Sequence, residues 1–298
     1  MNAHPPRPGD GGPELEGSFA LLVTPMDASA RVDDVAYDRL VDFHLEHSRG
    51  LFAVCGTAEM GALTAEERLW LARRAVTRAG TLPVVATGNL GRTLRDQLEE
   101  TARMSETGVV AVVAVPPPRR LSDDALLAYF GRLARASSVP LLLYEWPGRR
   151  YPRISASVYG ALVREVGVLG IKDTTGSLNA LAEKVRSGDG AVVYQASAPL
   201  LVPALRAGAR GIMAIVSAVA PQLCTDAWQA HVRGDRRALE LAVTKMVLLD
   251  ALLDRCHPQG AKWLLRRRGL LHSDCIRAGR RVGEADAAAL EIWSRAAE

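Results

Sequence analysis

Three side chains in this sequence have the types and positions that imine chemistry needs. Lys172 closes the apolar run VGVLGIK (166–172), Tyr144 closes VPLLLY (139–144), and Thr57 follows LFAVCG (51–56). An amine can attack a ketone carbon, and a phenol can carry protons to and from the carbinolamine and the departing oxygen. Among 37 Lys and Arg residues only four are lysine: Lys172, Lys184, Lys245 and Lys262. Where a positive charge has only to sit in water, the chain uses arginine. A guanidinium stays protonated, with a pKa above ~12, whereas a desolvated lysine can lose its proton near neutral pH. Plainer readings exist for each residue: a charge ending a strand at solvent, a tyrosine that packs, a threonine that caps a turn. What favours chemistry is that one fold can gather all three on a single rim.

The elements needed to do so are legible. Eight short runs rich in Val, Leu, Ile and Ala occur at 19–25, 51–56, 82–88, 109–116, 139–144, 166–172, 191–195 and 211–216. They lack polar alternation, which suits parallel strands buried on both faces. Between them lie helix-like segments such as 33–47, 64–79, 93–107, 122–136 and 198–207. Several open on a capping residue: Asp33, Thr64 with Glu67 three residues on, Thr93 and Ser122. Eight β–α units in about two hundred residues predict a (β/α)₈ barrel of the α/β class over 17–218. A doubly wound sheet is the competing architecture, but VTPMDASA after the first run is not a phosphate-binding glycine turn. Segments near 221–232, 235–254, 259–268 and 284–296 read as helices, predicting a C-terminal helical extension over 219–298 that packs on the barrel. Residues 1–16, rich in Pro, Gly and charge, read as a disordered tail without the apolar stretch of a signal peptide.

Composition narrows the function classes. A chain of 298 residues that is 48% hydrophobic can bury a large core. The net charge of +4 is mild, and the basic runs at 266–268 and 280–281 lack interleaved aromatics, which argues against nucleic-acid binding. Cys55, Cys224, Cys256 and Cys275 are scattered without metal-ligand spacing and read as free thiols, most simply in a cytoplasmic protein. His44 and His47 share one helix, but no third metal ligand is evident, so both read as helix-surface residues. No run is long enough to span a membrane.

The barrel's C-terminal strand ends are where function gathers, and there the sequence resembles the dihydrodipicolinate synthase / N-acetylneuraminate lyase family. These are Schiff-base aldolases and dehydratases of 2-oxo acids. The matching motifs are ALLVTPMD (20–27), GTAEMGALTAEER (56–68), LYEWPGR (143–149) and GIKDTTG (170–176), with a looser match in GAKWLLRRRGL (260–270). The resemblance implies that Lys172 forms the imine, that Tyr144 relays protons, and that Thr57 with the amide of Ala58 holds the oxo acid's carboxylate. Arg149 matches an arginine that engages a substrate carboxylate. Glu145, Trp146, Ala196 and Met213 fall where substrate choice is set. No metal or organic cofactor is implied, because the lysine itself supplies the electrophile. The implied partners are a small 2-oxo acid, in some reactions an aldehyde, and further copies of the same chain in a dimer or tetramer.

The departures carry information too. Ala58 stands where a second threonine is usual, Pro117-Pro118 where synthases carry a tyrosine pair, Ala196 where a glycine is usual, and GIMAIVSA (211–218) where a glycine-rich turn is usual. The shortened turn at 56–64 is similar to that of 5-dehydro-4-deoxyglucarate dehydratases, while Arg149 is similar to synthases. These changes speak against 4-hydroxy-tetrahydrodipicolinate synthase activity and leave aldol chemistry and dehydration both open. Two rivals stand beside them. One is a non-catalytic 2-oxo acid binder. The other is a metal-dependent aldolase, which needs histidines at strand ends where this chain has none.

Overall fold

The computed structural model describes residues 15–146 and 151–297. Eight parallel strands close into a barrel in chain order. They are β1 (Gly17–Leu21), β2 (Gly50–Val54), β3 (Val84–Thr87), β4 (Ala111–Ala114), β5 (Leu141–Tyr144), β6 (Gly170–Asp173), β7 (Val192–Gln195) and β8 (Gly211–Ile212). The seam pairs Gly17 with Gly211 and Ser18 with Ile212. Every strand residue is buried, as continuous apolar runs require when one face meets the barrel interior and the other a helix. The fold class is therefore the expected (β/α)₈ barrel.

The helical ring consists of α1 (Asp34–Leu45), α2 (Ala65–Ala79), α3 (Leu94–Ser105), α4 (Asp123–Ala136), α5 (Ala156–Ala161), α6 (Leu178–Ser187), α7 (Leu201–Arg206) and α8 (Pro221–Val232). Three further helices follow: α9 (Arg236–Arg255), α10 (Gln259–Arg267) and α11 (Glu284–Ala297). The capping signals act as such. Thr64 accepts from the Glu67 amide while Glu67 reaches back to the Thr64 amide, and Thr93 with Asp96 repeats the arrangement. Asp33, Ser122 and Ser177 each satisfy an otherwise orphaned amide at a helix start.

Three local expectations are corrected. The tail does not extend through residue 16: Leu15 is buried, and its carbonyl accepts the Tyr194 hydroxyl beneath the barrel. The sixth strand begins at Gly170 rather than Val166. Leu162–Val166 continue α5 as a π-helical turn, which Gly167 ends at φ 78°. His44 is not a surface residue; it is fully buried beside Phe43, and burial holds its ring down at about 3, hence neutral. His47, one turn on, is half-buried.

Candidate active site

At the C-terminal strand ends lies a cavity of about 660 Å³. Lys172, from the end of β6, projects into it and is only 3% exposed. Its ammonium nitrogen sits 4.5 Å from the ring centroid of Tyr144 on neighbouring β5 and 5.3 Å from that of Phe52 on β2. The strand register dictates this meeting, because Tyr144 and Lys172 are paired residues of adjacent strands and point the same way. Aromatic faces stabilise a cation only weakly compared with water. Burial consequently lowers the Lys172 pKa to about 8, with the nearby Cys55 opposing the change. The Tyr144 phenol goes the other way: burial raises its pKa, so it remains a proton donor at neutral pH.

The turn after β2 supplies the next wall. The Ala58 amide donates to the Cys55 carbonyl at 3.1 Å, and the Glu59 amide to the Gly56 carbonyl at 3.0 Å. Glu59 itself is left-handed, at φ 59°. Non-glycine residues adopt that conformation only when their surroundings enforce it. The enforcement is visible. The buried Glu59 carboxylate accepts from Lys262 Nζ at 2.5 Å and from the amides of Arg277 and Ala278 at 2.6 and 2.9 Å. Thr57 thereby faces the cavity beside Lys172. Ala58 does not. It is fully buried, and its amide is spent inside the turn, which corrects the expectation that this amide meets a ligand.

Glu145 requires a second correction. It follows Tyr144 by one residue, so the two-residue period of an extended chain turns it outward, away from the cavity. There it forms a buried triad with Lys184 of α6 and with Asp173, the residue after Lys172. Lys184 Nζ donates to Glu145 and, at 2.8 Å, to Asp173, while Glu145 also accepts the Ile154 amide at 2.9 Å. Burial, with the Asp173 charge beside it, holds the Glu145 carboxyl above its ordinary range despite Lys184. Of the other expected residues, Ala196 and Met213 line the cavity with Trp146 and Ile215. Arg149 lies outside the described residues.

The outer wall comes from beyond the barrel. Asp250 and Asp254 of α9, His257-Pro258 after it, and Ala278-Gly279 complete the lining. Asp250 is half-buried, and desolvation raises its pKa to about 6 against the pull of the Ala198 amide. None of these residues was singled out from the sequence. The available signal was the placement of His257-Pro258 one residue before GAKWLLRRRGL. Among the described residues no group of three His, Cys, Asp or Glu side chains is placed to hold a metal ion, and no helix is long and apolar enough to cross a membrane.

Comparison with known proteins agrees with this geometry. The model of the dihydrodipicolinate synthetase family matches residues 14–283. A 4-hydroxy-tetrahydrodipicolinate synthase of Pseudomonas syringae pv. syringae is 31% identical over 262 residues, spanning 86% of this chain and 89% of that protein. The corresponding synthase of Ectopseudomonas mendocina is 32% identical over 263 residues, with the same coverage. The crystal structure of dihydrodipicolinate synthase from Aquifex aeolicus superposes with a TM-score of 0.89 at 22% identity, covering 95% of this chain and 98% of that one. The lysine-centred cavity and the family match along nearly the whole barrel lead to one conclusion: this chain is a lyase belonging to the dihydrodipicolinate synthetase family.

Proposed function

We propose that the enzyme condenses Lys172 with pyruvate or a longer 2-oxo acid and uses the resulting imine to make or break a C–C bond, or to expel water. The observation that carries this reading is a lysine amine buried at the floor of a cavity, able to be neutral near pH 8, with a phenol ring beside it. The amine nitrogen bonds to the ketone carbon while the carbonyl pair moves to oxygen, and one proton passes from nitrogen to that oxygen. The oxygen then takes up a second proton and leaves as water as the nitrogen pair closes the C=N bond. Tyr144, a neutral phenol, suits the delivery of these protons. The protonated imine draws electrons from the adjacent carbon, which becomes a nucleophile once it loses a proton or its bond to the leaving fragment.

Thr57 is the residue we assign to the carboxylate of the oxo acid, since its hydroxyl faces the same cavity as Lys172. Cavities of this size accommodate molecules well beyond three carbons, which leaves space for a second reactant or a longer chain. The apolar wall of Leu21, Met213 and Ile215 sets that space's character. The relatives are named as synthases, which supports carbon–carbon chemistry on an oxo acid.

The test is intact-protein mass after borohydride reduction. Pyruvate should add a pyruvyl-sized mass to the wild type and nothing to Lys172→Ala. A longer oxo acid such as 5-dehydro-4-deoxyglucarate is the second probe. If neither leaves an adduct, the Schiff-base reading fails; ligand-dependent melting without an adduct then identifies a binder.

A further inference from the structure

Among the groups brought by the C-terminal helices, His257 meets the Thr57 side of the cavity. His257 Nε2 lies 3.4 Å from Thr57 Oγ1, joining positions 200 residues apart in sequence. The main chain of His257 is held in place. The His257 carbonyl accepts the Arg280 amide at 2.8 Å, and the segment 278–280 closes onto Pro258. Closure this tight depends on Gly279, at φ 121°, where a Cβ would fall 2.1 Å from Pro258 Cδ and 2.8 Å from the His257 carbonyl oxygen. In its own turn the Thr57 hydroxyl has the buried Cys55 thiol, a weak partner, and no second hydroxyl, because the next residue is the buried Ala58.

A threonine hydroxyl rotates freely until a partner fixes it. We propose that His257 is a positioning residue that acts through Thr57: its ring orients the Thr57 hydroxyl and so sets how the oxo acid lies over Lys172. The proposal rests on the Schiff-base reading above. Burial first, then the charges of Lys172 and Arg280, with Asp254 opposing them, hold the His257 pKa down to about 4. The ring is therefore neutral at working pH and offers one donor and one acceptor nitrogen, either of which can engage a hydroxyl. Contacts of this kind are commonly long in the free enzyme and tighten once substrate is bound.

The experiment compares rates of imine trapping by cyanoborohydride with pyruvate, or with the longer oxo acid if that is the one that reacts. The proteins are wild type, His257→Leu, His257→Asn, His257→Gln, Thr57→Val and the Thr57→Val/His257→Leu double variant. Leu and Asn at 257 should each slow trapping roughly tenfold, the scale of one hydrogen bond. Gln, whose amide reaches as far as Nε2, should restore most of the rate. The double variant should be no slower than Thr57→Val alone, because His257 acts only through that hydroxyl. If His257→Leu traps at the wild-type rate, if Gln is as slow as Asn, or if the two losses multiply in the double variant, the positioning role is overturned while the Schiff-base reading stands. Should Leu fail to fold, the Asn–Gln contrast decides the question. A wild type that traps neither oxo acid removes both readings together.

Discussion

Burial decides how reactive Lys172 is, and it does so by disfavouring the charged form. With a pKa near 8, about a tenth of the amine is free at pH 7, against a few parts in ten thousand for an ordinary lysine. The trapping rate should therefore rise nearly tenfold per pH unit below pH 7, about fivefold between pH 7 and 8, and level off by about pH 9. Stopped trapping at fixed pyruvate measures this, and a rate still climbing steeply at pH 9.5 would refute the buried-amine account. The same burial has a stability consequence of determined sign. Below pH 8 the folded protein holds a desolvated ammonium that the unfolded chain would solvate. Lys172→Met should thus stabilise the fold at pH 7 by about 1–3 kcal/mol, seen as a higher urea midpoint. The gain should shrink as pH rises from 8 through the ordinary lysine value of 10.5, above which the amine is neutral in both states. The scarcity of lysine proved informative beyond Lys172, since Lys184 and Lys262 are buried as well and only Lys245 is exposed. Glu145 was misread for a local reason. Motif adjacency places it next to Tyr144, whereas strand alternation sends it to the far side of the sheet.

Strands this short must sit close, and the glycines that permit it are specific. At Gly170 a Cβ would fall 2.3 Å from the Val192 carbonyl oxygen of β7 and 3.1 Å from its carbon. Backbone cannot swing aside as a side chain can, so Gly170→Ala must separate β6 from β7 or shift Lys172. A cost of about 3 kcal/mol follows from overpacking of this kind. Gly131 in α4 provides the contrast, since its added methyl meets nothing nearer than Arg135 Nη1 at 3.6 Å. Gly131→Ala should be neutral or stabilising by about 0.5–1 kcal/mol, as for a helix-interior glycine. Urea unfolding of the two variants separates the outcomes, and equal midpoints would contradict the packing argument. Element positions were readable because apolar runs and capping residues are local signals. Strand ends were less so. The apolar run at 211–216 contributes only Gly211–Ile212 to the sheet, and Met213 onward turns across the barrel mouth as cavity lining. Hydrophobicity alone cannot separate a buried strand from a buried loop.

At the scale of the whole molecule, the C-terminal helices complete the site rather than decorate the barrel. One buried polar link between them and the site is Lys262 of α10, fully buried, whose ammonium bonds both Glu59 and, at 2.7 Å, the Cys275 carbonyl. Arg277 adds a paired contact to Glu67 of α2 at 2.7 Å for each nitrogen. This arrangement was invisible to a reading by motifs, because 203 residues separate the two partners of the buried pair and nothing local marks either as half of one. Burial works against the Lys262 charge and lowers its pKa even with Glu59 adjacent, so the pair's worth lies mainly in each partner's need of the other. Lys262→Met strands the Glu59 carboxylate in the interior and should cost about 3–5 kcal/mol. Glu59→Gln/Lys262→Met removes both charges, keeps an acceptor for the Arg277 and Ala278 amides, and should recover at least half of that loss. Both variants should trap pyruvate more slowly than wild type, because the left-handed Glu59 no longer pins the turn that carries Thr57. Denaturant midpoints and trapping rates on the same four proteins of the cycle test this. Additive stability losses would show the two charges to be independent. A double variant that regains stability but not rate would show that the pair is retained to hold the active-site turn in place.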